Sequence, residues 1–282
     1  MSEIASFRQK LRSFDFLLDD PAVSELAING PGNVWAAYRG SRFMRPVAVD
    51  GVTLPLIKSL AELIAAHTEQ EVNAYTPILS GRIPMDMSDH VADSERGDYR
   101  VQCVLAPAVE QHIGGTVCIR KPGRVQLTMD QYIASGAFDQ INEARTPDQY
   151  SDDHLVELYR AKRWSEFFIG CVKAHKNIMI SAGTNAGKST FLNMLLQHVD
   201  PNERIVTIED TREIRLKSEN VVHLIYSRGG QGKARVTPFD HLESILRLTP
   251  DRAIMGELRG AEAYPYLELL NTGHSGSFST IH

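Results

Sequence analysis

Cysteine is scarce in this chain of 282 residues, and Cys103, Cys118 and Cys171 are the whole complement. They are scattered, with neither CxxC spacing nor histidines placed to share a metal. That excludes a disulfide scaffold and reads as three reduced thiols, which fits a cytosolic compartment. No apolar run approaches the roughly 18 residues that cross a bilayer, and the opening MSEIASFRQK is charged where a secretory leader needs an apolar stretch. No transmembrane segment is expected, so any membrane association must come through partners. An excess of basic charge is missing too: 30 Lys and Arg stand against 35 Asp and Glu, for a formal charge of −5. Bulk neutralisation of nucleic-acid phosphates is disfavoured by that balance, and no run interleaves aromatic with basic residues, so no direct DNA binding is expected. Internal repeats and low-complexity tracts are absent as well.

What is present is an ordinary globular composition, 43% hydrophobic and 23% charged, on a chain long enough for two domains with two cores. The first half mixes helix signals, over Ser2 to Leu18, with strand-like alternation in NVWAAYRG and RVQCVLAP. Between them Asn29-Gly30-Pro31-Gly32 marks a turn. Leu56 to His67 predicts a helix whose Ile57, Leu60, Leu63 and Ile64 share one apolar face. The stretch INEARTPDQYSDD turns polar and loses its period, which places a linker over 141–153 between an N-terminal α/β domain over 1–140 and a second domain over 154–282. That second domain alternates: apolar NIMIS, a glycine-containing loop, a helix through FLNMLLQHV, then RIVTI, VVHLIY, a helix through HLESILRL, and AIMGEL. Alternating strands and helices imply a parallel α/β sheet.

The most informative segment is Asn177-Ile-Met-Ile-Ser-Ala-Gly-Thr-Asn-Ala-Gly-Lys-Ser-Thr190, an apolar strand and a tight loop that opens a helix. Gly183, Thr184, Asn185, Ala186, Gly187, Lys188, Ser189 and Thr190 read as a phosphate-binding loop. Consecutive backbone N–H groups turn toward phosphate oxygens, and the helix N-terminus adds partial positive charge. Lys188 is placed to reach the β and γ phosphates and the Ser189 hydroxyl to coordinate Mg²⁺, so ATP and Mg²⁺ are the expected ligands. The strict pattern G-x-x-x-x-G-K-[ST] is missed at its first position, where Ala182 stands with Gly183 directly after it.

A nucleotide hydrolase also needs carboxylates at strand ends facing that loop. RIVTI ends in Glu209 and Asp210, and AIMGEL carries Gly256-Glu257 in the form of a Walker B element. Glu257 is the candidate for orienting the attacking water. The tail Asn271-Thr-Gly-His-Ser-Gly-Ser-Phe-Ser-Thr-Ile-His282 holds His274 and His282 among glycines and hydroxyls. With no third ligand at suitable spacing for a metal, these read as structural histidines or as γ-phosphate sensors.

Taken in order, these segments resemble the hexameric secretion ATPases, and specifically the traffic ATPases of type IV secretion systems. Gly183 to Thr190 looks like the family's Walker A, Ile208 to Glu213 like its Asp box, Ile254 to Arg259 like its Walker B, and Thr272 to His282 like its His box. The stretch from Leu17 to Trp35 looks like the family's opening strand region, so the likeness spans nearly the whole chain. It implies a RecA-like P-loop NTPase domain preceded by a smaller α+β domain whose arginines reach the γ-phosphate; Arg100 and Arg120 are the matching positions. It further implies a homohexamer at the cytoplasmic face of the bacterial inner membrane, peripheral to it and docked on other secretion-system components, powering substrate translocation or pilus assembly. Family members continue for several helices and strands past the position of His282, which implies that the RecA-like part is incomplete here. Rival readings are a pilus-retraction or type II secretion motor, the latter usually bearing a four-cysteine zinc module that this chain lacks, and a nucleotide-binding ring scaffold with little turnover.

Overall fold

The computed structural model describes residues 3–84, 98–122, 128–134, 150–183, 186–228 and 232–281. It has the mixed α/β architecture read from the sequence, built on two sheets. Helices α1 (Glu3–Leu11) and α2 (Asp15–Leu18), separated by a 3₁₀ turn at Arg12–Phe14, occupy the stretch that carries helix signals. Strands β1 (Val23–Gly30) and β2 (Asn33–Tyr38) form a hairpin at the predicted glycine turn, followed by the short β3 (Arg45–Pro46). Helix α3 (Leu54–His67) starts where Thr53 accepts from the Leu56 N–H, with Pro55 in its first turn. After it come β4 (Ile78–Ile83), β5 (Tyr99–Leu105), β6 (Gly115–Arg120) and helix α4 (Met129–Ala134). The strands make a six-stranded antiparallel sheet in the order β3-β2-β1-β6-β5-β4.

Of the predicted connection over 141–153, residues 141–149 lie outside the described residues, and Asp152 already belongs to α5 (Asp152–Arg160), capped by Ser151. Helix α6 (Trp164–Lys173) leads into β7 (Ile178–Ser181). Next come α7 (Lys188–Leu196), β8 (Ile205–Glu209), β9 (Val221–Ile225), α8 (Pro238–Leu248), β10 (Arg252–Leu258), α9 (Ala263–Asn271) and β11 (Phe278–Ile281). The five strands are all parallel, ordered β7-β11-β10-β8-β9.

Three apolar layers hold these sheets. One face of the antiparallel sheet buries Leu26, Leu79, Val117 and Ile119 against Phe7, Leu11, Ile57 and Leu60 of α1 and α3. Each such large side chain contributes about 1.5–3 kcal/mol when fully removed from water. Its other face, through Val104 and Cys118, joins Leu242 and Ile245 of α8 and Val206, Leu224 and Met255 of the parallel sheet in a second continuous core. Val172, Leu192, Leu195, Ile254 and Phe278 fill the far side of the parallel sheet. Polar groups also cross between the sheets: Arg204, 1% exposed, donates to Asn29 Oδ1 at 2.9 Å and Asn220 Oδ1 at 2.6 Å. The Ile225 N–H donates to Ala108 O at 2.8 Å.

Below the parallel sheet, at its amino edge, Arg252 and Glu203 form a buried ion pair, 1% and 2% exposed. Arg252 also donates to Gly276 O and Val172 O, both at 2.9 Å, and His175 Nε2 lies 3.3 Å from Glu203 Oε1. Burial by itself pushes the Glu203 carboxyl up, but the bonds from His175 and Arg252 outweigh it and hold the pKa at about 2. A depressed carboxylate stabilises the fold above its ordinary value of 4.5, and that contribution is lost as pH falls toward 2. Removing one partner of a buried pair costs about 3–5 kcal/mol. Arg252→Met is therefore expected to lower unfolding stability by several kcal/mol in urea titration at neutral pH, and a loss below about 1 kcal/mol would contradict this account of the amino edge.

Candidate active site at the carboxyl edge of the parallel sheet

Parallel α/β sheets bind ligands beyond the carboxyl ends of their strands, and the predicted phosphate loop sits at that edge, between β7 and α7. The Ala186 N–H meets Gly183 O at 3.4 Å, closing the loop on itself. Gly187 caps α7 at φ +87°, a left-handed backbone that other residues adopt only at a cost of about 1–2 kcal/mol. Lys188 Nζ donates to Ala182 O at 2.8 Å and Gly183 O at 3.0 Å, so the ammonium lies across the loop. Ala182 thus takes the place of the strict motif's glycine without disturbing the strand-loop-helix context. Thr190 is exposed on the first turn of α7, while Thr184 and Asn185 lie outside the described residues.

Glu213, the last residue of the segment Ile208 to Glu213 and one whose role no local sequence signal reveals, faces this loop: Ser189 Oγ donates to Glu213 Oε2 at 2.7 Å. Asn193 on α7 fastens the same segment, donating to Glu213 O at 2.9 Å and accepting from the Arg215 N–H at 2.8 Å. A hydroxyl beside a carboxylate at a helix N-terminus is a hard-oxygen donor set that fits Mg²⁺.

Glu209 is 2% exposed, and it faces inward. Its Oε1 accepts the N–H groups of Glu213 at 2.7 Å and Ile214 at 2.8 Å, and its Oε2 accepts the Thr207 hydroxyl at 3.0 Å. Burial raises its pKa, yet the bonds from His223, the two backbone N–H groups and Thr207 outweigh burial and leave it below the ordinary glutamate value. This carboxylate shapes the turn that presents Glu213. Glu257 lies on the neighbouring strand β10, one strand nearer β7, its side chain 14% exposed, with Arg259 bonded to it and Arg228 3.8 Å away. Gly256, just before it, lies beside Glu209 across the β8–β10 pair, where an added Cβ would stand in ordinary contact 3.4 Å from Glu209 Cγ. The Thr280 hydroxyl on β11 donates to Gly256 O at 2.7 Å.

Three predicted residues stand elsewhere. His274 precedes β11 and so lies at the amino edge, opposite the loop, where its carbonyl accepts from the Ser277 hydroxyl at 2.8 Å. Its predicted partner, His282, is outside the described residues. Arg100 and Arg120 are direct cross-strand neighbours on β5 and β6, and Arg82 on β4 stands opposite Arg100. With Arg247 and Thr249, at the end of α8, they line a cleft of about 650 Å³ that contains no residue of the phosphate loop. Arg82 is paired with Asp98 at 3.3 Å, and the row of guanidiniums forms a basic wall that, within one chain, does not face Lys188. Arg82 could have been found in the sequence only by knowing the register. Among the described residues, no three His, Cys, Asp or Glu side chains converge as a metal cluster.

The parallel sheet, the loop opening α7 and the acidic strand ends define a P-loop nucleotide-binding domain, here packed on an antiparallel α+β sheet. Residues 159–282 match the family model of the Type II/IV secretion system protein. Over 99% of its length the chain is 32% identical to the type IV secretion system protein VirB11 of Bartonella quintana, of which it covers 77%. Over 92% it is 33% identical to the type IV secretion system protein PtlH of Bordetella pertussis, of which it covers 72%. The crystal structure of the VirB11 ATPase from the Brucella suis type IV secretion system superposes with a TM-score of 0.85 at 29% identity, covering 100% of this chain and 79% of that one. The chain belongs to the VirB11/PtlH family of type IV secretion ATPases.

Removing the Glu209 carboxylate strands two backbone donors and a hydroxyl in a dry place, at about 1–3 kcal/mol, and releases Glu213 from Ser189. Glu209→Ala is expected to lower both the melting temperature and the affinity for Mg²⁺-nucleotide, measured by thermal unfolding and calorimetric titration. Unchanged nucleotide affinity in a destabilised protein would contradict the link from Glu209 to Glu213.

Proposed function

We propose that this chain is the ATP-hydrolysing subunit of a homohexameric ring that powers a type IV secretion system from the cytoplasmic face of the inner membrane. The observation that carries this reading is the gathering of Lys188, the Ser189–Glu213 pair and Glu257 at one edge of one parallel sheet. Loop N–H groups and the start of α7 receive the β and γ phosphates, and Lys188 turns from the loop carbonyls to neutralise them. Ser189, with Glu213 beside it, would hold Mg²⁺, which when bound to the nucleotide disperses phosphate charge. Glu257 orients a water for attack on the γ-phosphorus.

Charge developing on the γ-phosphoryl oxygens calls for guanidiniums. Arg100 and Arg120 supply them to the neighbouring subunit's nucleotide, because in their own chain they line a cleft away from the loop. Such a heterologous contact closes into a ring, so each site is built from two subunits. The likeness to type IV secretion system proteins supports that role over a pilus-retraction or type II role for this chain.

Lys188→Ala is expected to abolish turnover, and Glu257→Gln to retain ATP while phosphate release falls at least about 100-fold. Wild-type-like release from Glu257→Gln would remove its assigned role. Sharing of sites predicts that Lys188→Ala and Arg100→Ala chains, each inactive alone, recover measurable turnover when mixed, because one interface type then joins an intact loop to intact arginines. No recovery on mixing would contradict the two-subunit site.

A further inference from the structure

Glu257 Oε2 faces two guanidiniums of different standing. Arg259 bonds it directly but belongs to the same strand end and is 51% exposed, so it moves with Glu257. Arg228 comes from beyond β9, on the other side of β8, and its Nη2 stands 3.8 Å from the same oxygen. Arg228 is itself held at two points: its Nε lies 2.9 Å from Asp210 Oδ2, and its Nη2 donates to the Tyr226 hydroxyl at 3.2 Å. Its guanidinium also lies 5.9 Å over the Tyr226 ring. One planar group therefore spans the ends of three adjacent strands, from β9 across Asp210 at the end of β8 to Glu257 on β10.

Stability does not account for this arrangement. Arg228 and Asp210 are 32% and 38% exposed at the side chain, a setting in which an ion pair contributes little to folding. Geometry does account for it. A planar fork fixed at one end by a carboxylate and a phenol offers its remaining N–H in a set direction, whereas a glutamate on a strand end otherwise samples several rotamers.

We propose that Arg228 is a positioning residue for hydrolysis: anchored by Asp210 and Tyr226, it fixes the carboxylate of Glu257 toward the attacking water. This rests on the reading of Glu257 given above. Arg228 acts through Glu257, so its loss is felt in the chemical step and not in nucleotide binding. Asp210, the second acidic residue of its motif, thereby acquires a role as the anchor of Arg228.

Steady-state ATP turnover of the full chain tests this, with thermal melts as a check on folding. Arg228→Met, which keeps length and loses the fork, is expected to lower kcat about 10-fold with KM for ATP changed less than about two-fold. Arg228→Lys, which keeps the charge but not the fork, recovers only a small part of kcat, Asp210→Asn reproduces the loss, and adding Arg228→Met to Glu257→Gln slows turnover no further. Wild-type kcat in Arg228→Met, a loss carried by KM, or additional slowing in the double variant overturns the proposal. Should Arg228→Met fail to fold, Asp210→Asn decides alone, since an unchanged kcat there is equally fatal. The reading of Glu257 fails separately, through a Glu257→Gln protein that hydrolyses normally.

Discussion

The carboxyl edge of the parallel sheet depends on one buried carboxylate. Glu209 ends β8 and bonds back to its own chain, to the N–H groups of Glu213 and Ile214 and to the Thr207 hydroxyl two residues earlier. These bonds fold the segment after β8 across the start of α7, where Glu213 meets Ser189 and Asn193 stitches the rest down. A free strand end would leave those donors to water and Glu213 to solvent. Strand β10 pairs with β8 in parallel, which carries Glu257 to the same edge of the sheet.

The second constraint is the packing of the antiparallel sheet on α8 and the β9 edge. A continuous apolar core and the Arg204–Asn29–Asn220 bonds fix the two sheets against each other. That junction turns the arginines of β4, β5 and β6 toward the end of α8 and away from the loop. Asp98 already offsets Arg82, while Arg100 and Arg120 stand side by side as a place for a further anion. A neighbouring subunit's nucleotide is the anion that a ring would bring there.

How much of this was legible in the sequence follows from what repeats along a chain and what does not. The loop could be read because an apolar strand, Gly-Lys-Ser and a helix are contiguous, and the apolar runs of β7, β8, β9 and β10 because they alternate with helices. Strands β1 and β6 were harder: both faces of their sheet are covered, so β6 is buried at every position except Arg120 and shows no alternation. The first two residues of α5, Asp152 and Asp153, lie within the polar stretch read as a linker, although Ser151 ahead of them is a start signal. Glu209 is legible as a carboxylate at a strand end near the loop, but sequence cannot distinguish an inward carboxylate from an outward one, so its hold on the following turn and the role of Glu213 are not. Which edge His274 and the arginines occupy is decided by crossovers and register, information that no local motif carries.

The central claim is that one active site takes its loop and Glu257 from one subunit and its arginines from the next. A structure of the assembled ring with Mg²⁺ and a non-hydrolysable ATP analogue tests this most directly. The account predicts Arg100 and Arg120 within hydrogen-bonding distance of the γ-phosphate bound at the neighbouring subunit's Lys188. Arginines folded over the loop of their own chain, or standing clear of every nucleotide in the ring, would contradict it.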